Sequence, residues 1–310
     1  MKRVQYHRYG DPEELRLEEV PLREPRPGQV RVRVLAAAAN PMDWKIRRGE
    51  MKMLSGFRLP RGLGHDFAGL IDALGSGAER FKPGDAVFGV TSIRQAGAFA
   101  EYVIADAANV ALKPPSVSFE QATAALLVSV TAWTALANKA KLRPGQSVFI
   151  TGCLGGVGRA AVQIARLRGA EVMGSCSVSD REEALASGVS EVADRNFDVA
   201  QYPRRFDVIF DTAGALSLGQ CATMLKPHGV SLHIVPTPAK LIGCLLSARH
   251  QVVFGKPTPE GLGAIAEALE RGEIVAAIGG VAPLSEAIPA IIDLERNGVP
   301  KGKLVIAPMD

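Results

Sequence analysis

The chain has 310 residues, 47% of them apolar, with 32 glycines and few aromatics, which is length enough for two domains with real cores. Its net charge of +4 is mild, and the basic cluster Arg47, Arg48, Lys52, Arg58 and Arg61 lacks aromatic interleaving, so it reads as a solvated face and nucleic acid is not an expected partner. No apolar stretch approaches the roughly 20 residues of a membrane span, and four scattered cysteines without a C-x-x-C pair argue against a disulfide framework or a zinc knuckle.

The start, Met1-Lys-Arg-Val-Gln-Tyr-His7, has no signal-peptide core and reads as a strand at once, which fits a reducing cytoplasm. Residues 1–115 then carry short β patterns. Gln29-Val-Arg-Val-Arg-Val34 alternates as a half-buried strand does, and strands over 64–74 and 85–90 are separated by turns such as Lys82-Pro-Gly-Asp85. Ser118-Phe-Glu-Gln121 is a capping box opening an alanine-rich helical stretch over 120–139, with a break expected near 128–131.

Residues 147–174 read as strand, glycine loop, helix and second strand, the opening βαβ unit of a dinucleotide-binding domain. The run 147–150 suits a buried parallel strand. In Gly152-Cys-Leu-Gly-Gly-Val-Gly158, Cys153 stands where the first glycine of G-x-G-x-x-G is expected. Gly155 lets backbone approach a pyrophosphate, Gly158 lets the helix pack on the strand, and N–H groups over Gly156, Val157 and Gly158 face the phosphates. An NAD enzyme places Asp or Glu at the end of the second strand. This chain has Gly174-Ser-Cys-Ser-Val-Ser179, with no carboxylate before Asp180, so Ser175, Ser177 and Arg181 are assigned to a 2′-phosphate and NADPH is the expected cofactor. Ser177 or Ser179 also serves as a cap for a helix beginning near Asp180, and Arg159 is either a second phosphate contact or a solvated first-turn residue.

Further βα alternation follows at 206–211 and 229–235. The last residues return to a strand at 278–281, a helix at 285–297 and a strand at 303–306. The expected fold class is α/β, with a nucleotide domain over 118–276 inserted into a β-rich domain built from 1–117 and 277–310.

This order of parts resembles the medium-chain dehydrogenase/reductase superfamily over essentially the whole chain. The matching pieces are Asn40-Pro-Met-Asp43, Gly64-His-Asp-Phe-Ala-Gly69, Phe81-Lys-Pro-Gly-Asp-Ala-Val-Phe-Gly89, Gly97-Ala-Phe-Ala-Glu-Tyr102, Thr131-Ala132, Leu142-Arg-Pro-Gly145, Gly155-Gly-Val-Gly158 and Gly302-Lys-Leu-Val-Ile306. The resemblance implies a GroES-like catalytic domain, a doubly wound Rossmann domain and a homodimer paired through the strand at 251–254. It also implies cofactor contacts at Thr131, Thr212 and Gly214, with Val235 lining the nicotinamide pocket.

The departures matter more. Zinc-dependent alcohol dehydrogenases place a cysteine where this chain has Asn40 and a third ligand near 128–130, so only His65 survives, and no metal is expected. Without a Lewis acid to hold an alkoxide, hydride transfer should favour electron-poor acceptors. That resembles the zinc-free quinone reductase and alkenal or enone reductase branches. A small-molecule quinone or α,β-unsaturated carbonyl is therefore the expected substrate, with an enoyl thioester or a non-catalytic NADPH-binding redox sensor as alternatives. Lys45 is the candidate donor to the resulting oxyanion, with Asn40 as a neutral donor and Asp43 orienting Lys45 or its loop. The plainer alternatives leave Lys45 in solvent and Asp43 as a helix cap. Met42, Trp44, Met51, Met53 and Phe57 are candidate walls of an apolar substrate pocket.

Overall fold

The structure is a computed structural model describing residues 1–235, 237–298 and 302–308. Its elements begin with β1 (Lys2–Tyr6), β2 (Leu15–Glu19), β3 (Gln29–Ala38), α1 (Pro41–Arg47) and α2 (Lys52–Ser55). Strands β4 (Arg61–Gly62), β5 (Asp66–Leu74), β6 (Ala86–Val90), β7 (Tyr102–Asp106) and β8 (Val110–Leu112) follow, then α3 (Phe119–Trp133). The βα alternation is β9 (Ser147–Thr151), α4 (Gly156–Leu167), β10 (Glu171–Cys176), α5 (Arg181–Ala186), β11 (Glu191–Asp194), β12 (Phe206–Asp211), α6 (Leu218–Met224), β13 (Leu225–His233), α7 (Pro238–Leu246) and β14 (His250–Val252). The chain ends with α8 (Pro259–Glu270), β15 (Ile278–Pro283), α9 (Ala287–Asn297) and β16 (Lys303–Ala307).

Two compact units result, one from Met1–Leu127 with Pro257–Asp310 and the other from Val128–Lys256. Helix α8 packs on β8 and so belongs to the first unit. In that unit a mixed sheet runs β15-β16-β3-β5-β6-β8, β7 pairs with the Gln29–Arg33 part of β3, and a small sheet runs β2-β1-β4. The alternation in β3 sends Val30, Val32 and Val34 into the core. Facing them are Phe67, Phe99 and, from the chain's end, Leu304 and Ile306.

The second unit is one parallel sheet, β11-β10-β9-β12-β13-β14. Numbered along the unit this is 3-2-1-4-5-6, the doubly wound order of dinucleotide-binding domains. Strand β9 lies at its centre with Val148, Phe149 and Ile150 fully buried, as the apolar run at 147–150 requires. The Phe149 ring packs against Phe206 at 5.1 Å and Phe197 at 5.0 Å between centroids.

Two expectations need correction. The break expected near 128–131 is absent. Ser118 caps the helix through its Oγ to the Gln121 N–H, and regular α-helix continues to Trp133 before widening into a π-helical turn over Thr134–Lys139. Burial holds this β-branched stretch helical, and the Thr134 hydroxyl donates to the Val130 carbonyl at 2.8 Å. Nor are all the basic residues at 47–61 a solvated face. Arg47 is fully buried, and its NH2 group donates to both oxygens of Glu295 on α9, at 2.6 and 2.8 Å. Arg61 is also buried.

Candidate functional site

The cradle in the second unit starts at Gly155, the extended N-cap of α4. A helix start leaves its first N–H groups without intrahelical partners, here those of Gly156, Val157 and Gly158. A Cβ on Gly155 meets nothing nearer than the Gly152 carbonyl oxygen at 3.3 Å, so this glycine is left open on the loop. A Cβ on Gly158 would lie 2.1 Å from that same oxygen and 2.9 Å from Cys153 backbone atoms. Gly158 is therefore a packing requirement of the helix against its loop.

Cys153 fits at its unusual position because residue 174 has no side chain. A Cβ on Gly174 would sit 2.8 Å from the Cys153 sulfur. Burial pushes the Cys153 thiol up to about 12, so it is inert. Arg159 braces the loop, donating from Nε to the Leu154 carbonyl at 2.8 Å and pairing with Glu183 at 2.5 Å. It is thus committed within the fold.

Near the end of β10, Ser175 is buried, and its carbonyl accepts the Cys153 N–H at 3.1 Å. Ser177 donates to Asp180, and Arg181 is exposed with one guanidinium nitrogen on the Val192 carbonyl at 3.1 Å. At the end of β12, the Thr212 hydroxyl donates to the Thr151 carbonyl at 2.6 Å. Gly214 adopts φ +72°, and a Cβ there would press on Val235 at 3.1 Å. Thr131 lies against Gly255, where an added Cβ would meet the Thr131 Oγ1 at 2.6 Å.

Buried Asp211 holds the Thr212–Gly214 turn in place. It accepts from Thr151 Oγ1 at 2.8 Å, from the Ala215 N–H at 2.9 Å and from the Lys240 ammonium at 2.7 Å. Although burial opposes ionisation, the hydrogen bonds from His233, Lys240 and Thr151 prevail and hold Asp211 at about 2.

The first unit carries a second buried polar network. Asn40 N-caps α1, and Asp43 closes a capping box by accepting the Asn40 N–H at 2.8 Å. The other Asp43 oxygen meets His65 Nδ1 at 2.8 Å. The Asn40 amide donates to Asp66 at 2.9 Å and to the Ala38 carbonyl at 3.2 Å, while its oxygen accepts from Lys303 Nζ at 2.5 Å. His65 Nε2 and Asp66 Oδ1 are buried without a hydrogen-bond partner.

Burial pushes Asp66 up to about 7 against the opposing pull of Lys303 and Asn40, and burial likewise lowers the Lys303 ammonium. The unfolded carboxyl titrates at roughly 3.9. Between the two values the unfolded chain has lost a proton that the folded chain keeps, so stability falls as pH rises from about 4 to about 7 and then levels off. The limiting slope is about 1.4 kcal/mol per pH unit. Urea unfolding across that window should show this loss, and Asp66→Asn should flatten it; an equal slope in the variant removes Asp66 as its source.

Comparison with known proteins fits both halves. The alcohol dehydrogenase GroES-like domain family matches residues 26–115, and the zinc-binding dehydrogenase family matches 156–244. A quinone oxidoreductase of Sus scrofa is 31% identical, over 99% of this chain and 97% of that protein. The chain belongs to the medium-chain dehydrogenase/reductase superfamily, in its quinone oxidoreductase branch. A 2-methylene-furan-3-one reductase of Solanum lycopersicum is 32% identical over all of this chain and 79% of that protein. The solved quinone oxidoreductase of Coxiella burnetii superposes with a TM-score of 0.86 at 29% identity, covering 100% of this chain and 99% of the other. The chain is thus an oxidoreductase of the medium-chain type, with a fold built for a nicotinamide dinucleotide.

The zinc ion of some medium-chain enzymes is a poor fit here. Such an ion takes three protein ligands and an open position. Among the described residues, no group of three or more His, Cys, Asp or Glu is arranged to hold a metal. Asn40 offers an amide oxygen already taken by Lys303 Nζ.

Within this medium-chain enzyme, the network bears on two assignments. Asn40 has both its amide hydrogens and its oxygen engaged and is 3% exposed, so it positions neighbours rather than donating to substrate. Asp43 orients Asn40 and His65; no hydrogen bond joins it to Lys45 among the described residues. Lys45 lies half-buried on α1, outside the network. Of the apolar candidates, Met42, Trp44 and Met51 are half-buried, whereas Met53 and Phe57 are 84% and 67% exposed. The sequence reading missed Lys303. It stood inside a quoted strand motif, but a lysine in a strand carries no mark of being buried.

Proposed function

We propose that this chain is a zinc-independent, NADPH-dependent reductase of quinones or α,β-unsaturated carbonyls. The observation that carries the reading is the Lys303–Asn40–Asp66 network, which engages the whole Asn40 amide where zinc-dependent relatives need a metal ligand. The names of the Sus scrofa and Solanum lycopersicum relatives support the acceptor class.

Bound NADPH supplies the hydride. The chain's own residues do the rest. The first turn of α4 and the open face of Gly155 receive the pyrophosphate. Ser175 near the end of β10, with Ser177 and Arg181 beyond it, stands where a 2′-phosphate is read; the strand end itself carries no carboxylate, the first being Asp180, which accepts from Ser177. Thr131, Thr212, Gly214 and Val235 are the further contacts on that unit. Reduction leaves an enolate or hydroquinone oxyanion on the substrate, and Lys45 is the group available to hold that charge or return a proton to it.

The decisive assay follows NADPH consumption by metal-stripped protein with quinones, enals, enones and a crotonyl thioester, identifying products. Turnover of quinones or enones is the expected result; turnover confined to the thioester, or tight NADPH binding without turnover, overturns the assignment. Arg181→Ala should lower the preference for NADPH over NADH, as the ratio of kcat/KM values, by about tenfold, the scale of one charge-assisted contact. An unchanged ratio removes Arg181 from the 2′-phosphate site.

A further inference from the structure

The first unit also holds a cavity of about 490 Å³ whose walls are unusually rich in arginine. It is walled by the small β1-containing sheet, the loop before β3, the 58–62 segment, the 94–97 turn and strand β7. Arg3, Arg23, Arg26, Arg58, Arg61 and Arg94 line it, and among the described residues none of them enters a salt bridge.

The walls are fixed by close backbone approaches. A Cβ on Gly62 would lie 2.6 Å from Gly97 Cα, so the missing side chain lets the turn carrying Arg94 rest on β4. A Cβ on Gly75 would lie 1.9 Å from the Arg26 carbonyl oxygen, so the Arg26 loop is likewise seated directly on the sheet. Arg31 donates to the Arg23 carbonyl at 3.0 Å, tying down the same loop.

The nearby carboxylates are already engaged. Glu24 and Asp72 pair with Arg31, Glu18 accepts from Gln5 and His7, and Asp106 accepts from Gln29 and Gln95. With seven arginines on its walls, Arg31 included, against Glu24 as the one carboxylate lining it, the concave, partly apolar site carries a positive field. Burial, and then the charge of Arg23, disfavours the ionised form of Arg3, with the Glu18 carboxylate opposing them only in part. An anion would relieve that strain.

We propose that this arginine-lined basin is a second ligand site, for a small organic diphosphate, distinct from the dinucleotide cradle in the other unit. Guanidinium groups match phosphate oxygens in geometry and charge. The volume lies in the range that encloses small organic ligands, and Leu22, Leu59 and Tyr102 provide an apolar wall for the organic part.

ADP is the probe, titrated at low salt into the full chain with NADPH saturating the cradle. Hydrogen exchange locates the binding. The expected result is one further ADP per chain, with exchange slowed over 20–31 and 92–97. Arg58→Glu with Arg94→Glu, both on exposed side chains, should weaken that binding at least tenfold while leaving NADPH affinity unchanged; Arg26→Glu gives an independent check. Protection confined to 152–160, ADP affinity unmoved by either variant, or binding of inorganic pyrophosphate but not ADP overturns the proposal.

Discussion

Alanine at position 158 should lower nicotinamide dinucleotide affinity by about a hundredfold and destabilise the Val128–Lys256 unit by about 1–3 kcal/mol. The added methyl would stand 2.1 Å from the Gly152 carbonyl oxygen, and neither it nor the Cys153 backbone is a flexible tip that can swing away. Helix α4 must shift off its loop, an overpacking cost that exceeds the roughly 1 kcal/mol a helix gains from alanine over glycine. The shift also carries the N–H groups out of reach of the phosphates, and losing one or two charge-assisted hydrogen bonds accounts for the affinity. Gly155→Ala is the contrast. Its methyl meets only one atom, at 3.3 Å, so stability should stay within about 0.5 kcal/mol of the parent while affinity falls, because the space belongs to the ligand. Urea unfolding and fluorescence titration of both variants separate the two roles. Equal stability losses would refute the division.

The same contrast explains what could be read from the residues alone. The opening strand, glycine loop and helix of the second unit were legible because apolar runs and glycine spacing are local signals, and Ser147–Thr151 with Gly156–Leu167 appear where those signals put them, whereas β11 and the strand order come only from the structure. The buried network of the first unit was not legible in full. Its Asn40 and Asp43 share one helical turn, but Lys303 reaches Asn40 across 263 residues of chain, and only the pairing of β16 with β3 brings them together. Arg47 was misread for the same reason. Nothing local distinguishes it from its exposed neighbour Arg48, and its burial depends on Glu295 from α9. Charge runs report composition, whereas partners come from topology.

Lys45→Ala should lower turnover by tenfold to a thousandfold and leave NADPH affinity nearly unchanged. That range corresponds to about 1.4–4 kcal/mol of transition-state stabilisation, the scale of one lost oxyanion or proton donor. Lys45 sits half-buried on α1, and among the described residues its ammonium has no ion pair, so its removal should cost little stability. The rigid capping box formed by Asn40 and Asp43 fixes the start of the helix that presents it. Asp43→Asn tests this support. It weakens the bond to His65 and the reciprocal cap, so it should lower both stability and turnover, whereas Lys45→Ala lowers turnover alone. Lys45→Arg then tells the two chemical roles apart. A guanidinium donates hydrogen bonds but does not give up its proton in proteins. Recovery of quinone and enone turnover by arginine would assign charge stabilisation to Lys45; no recovery, with NADPH affinity intact, would assign proton transfer. Full activity in Lys45→Ala with several acceptors would remove Lys45 from the reaction and leave the oxyanion to another donor.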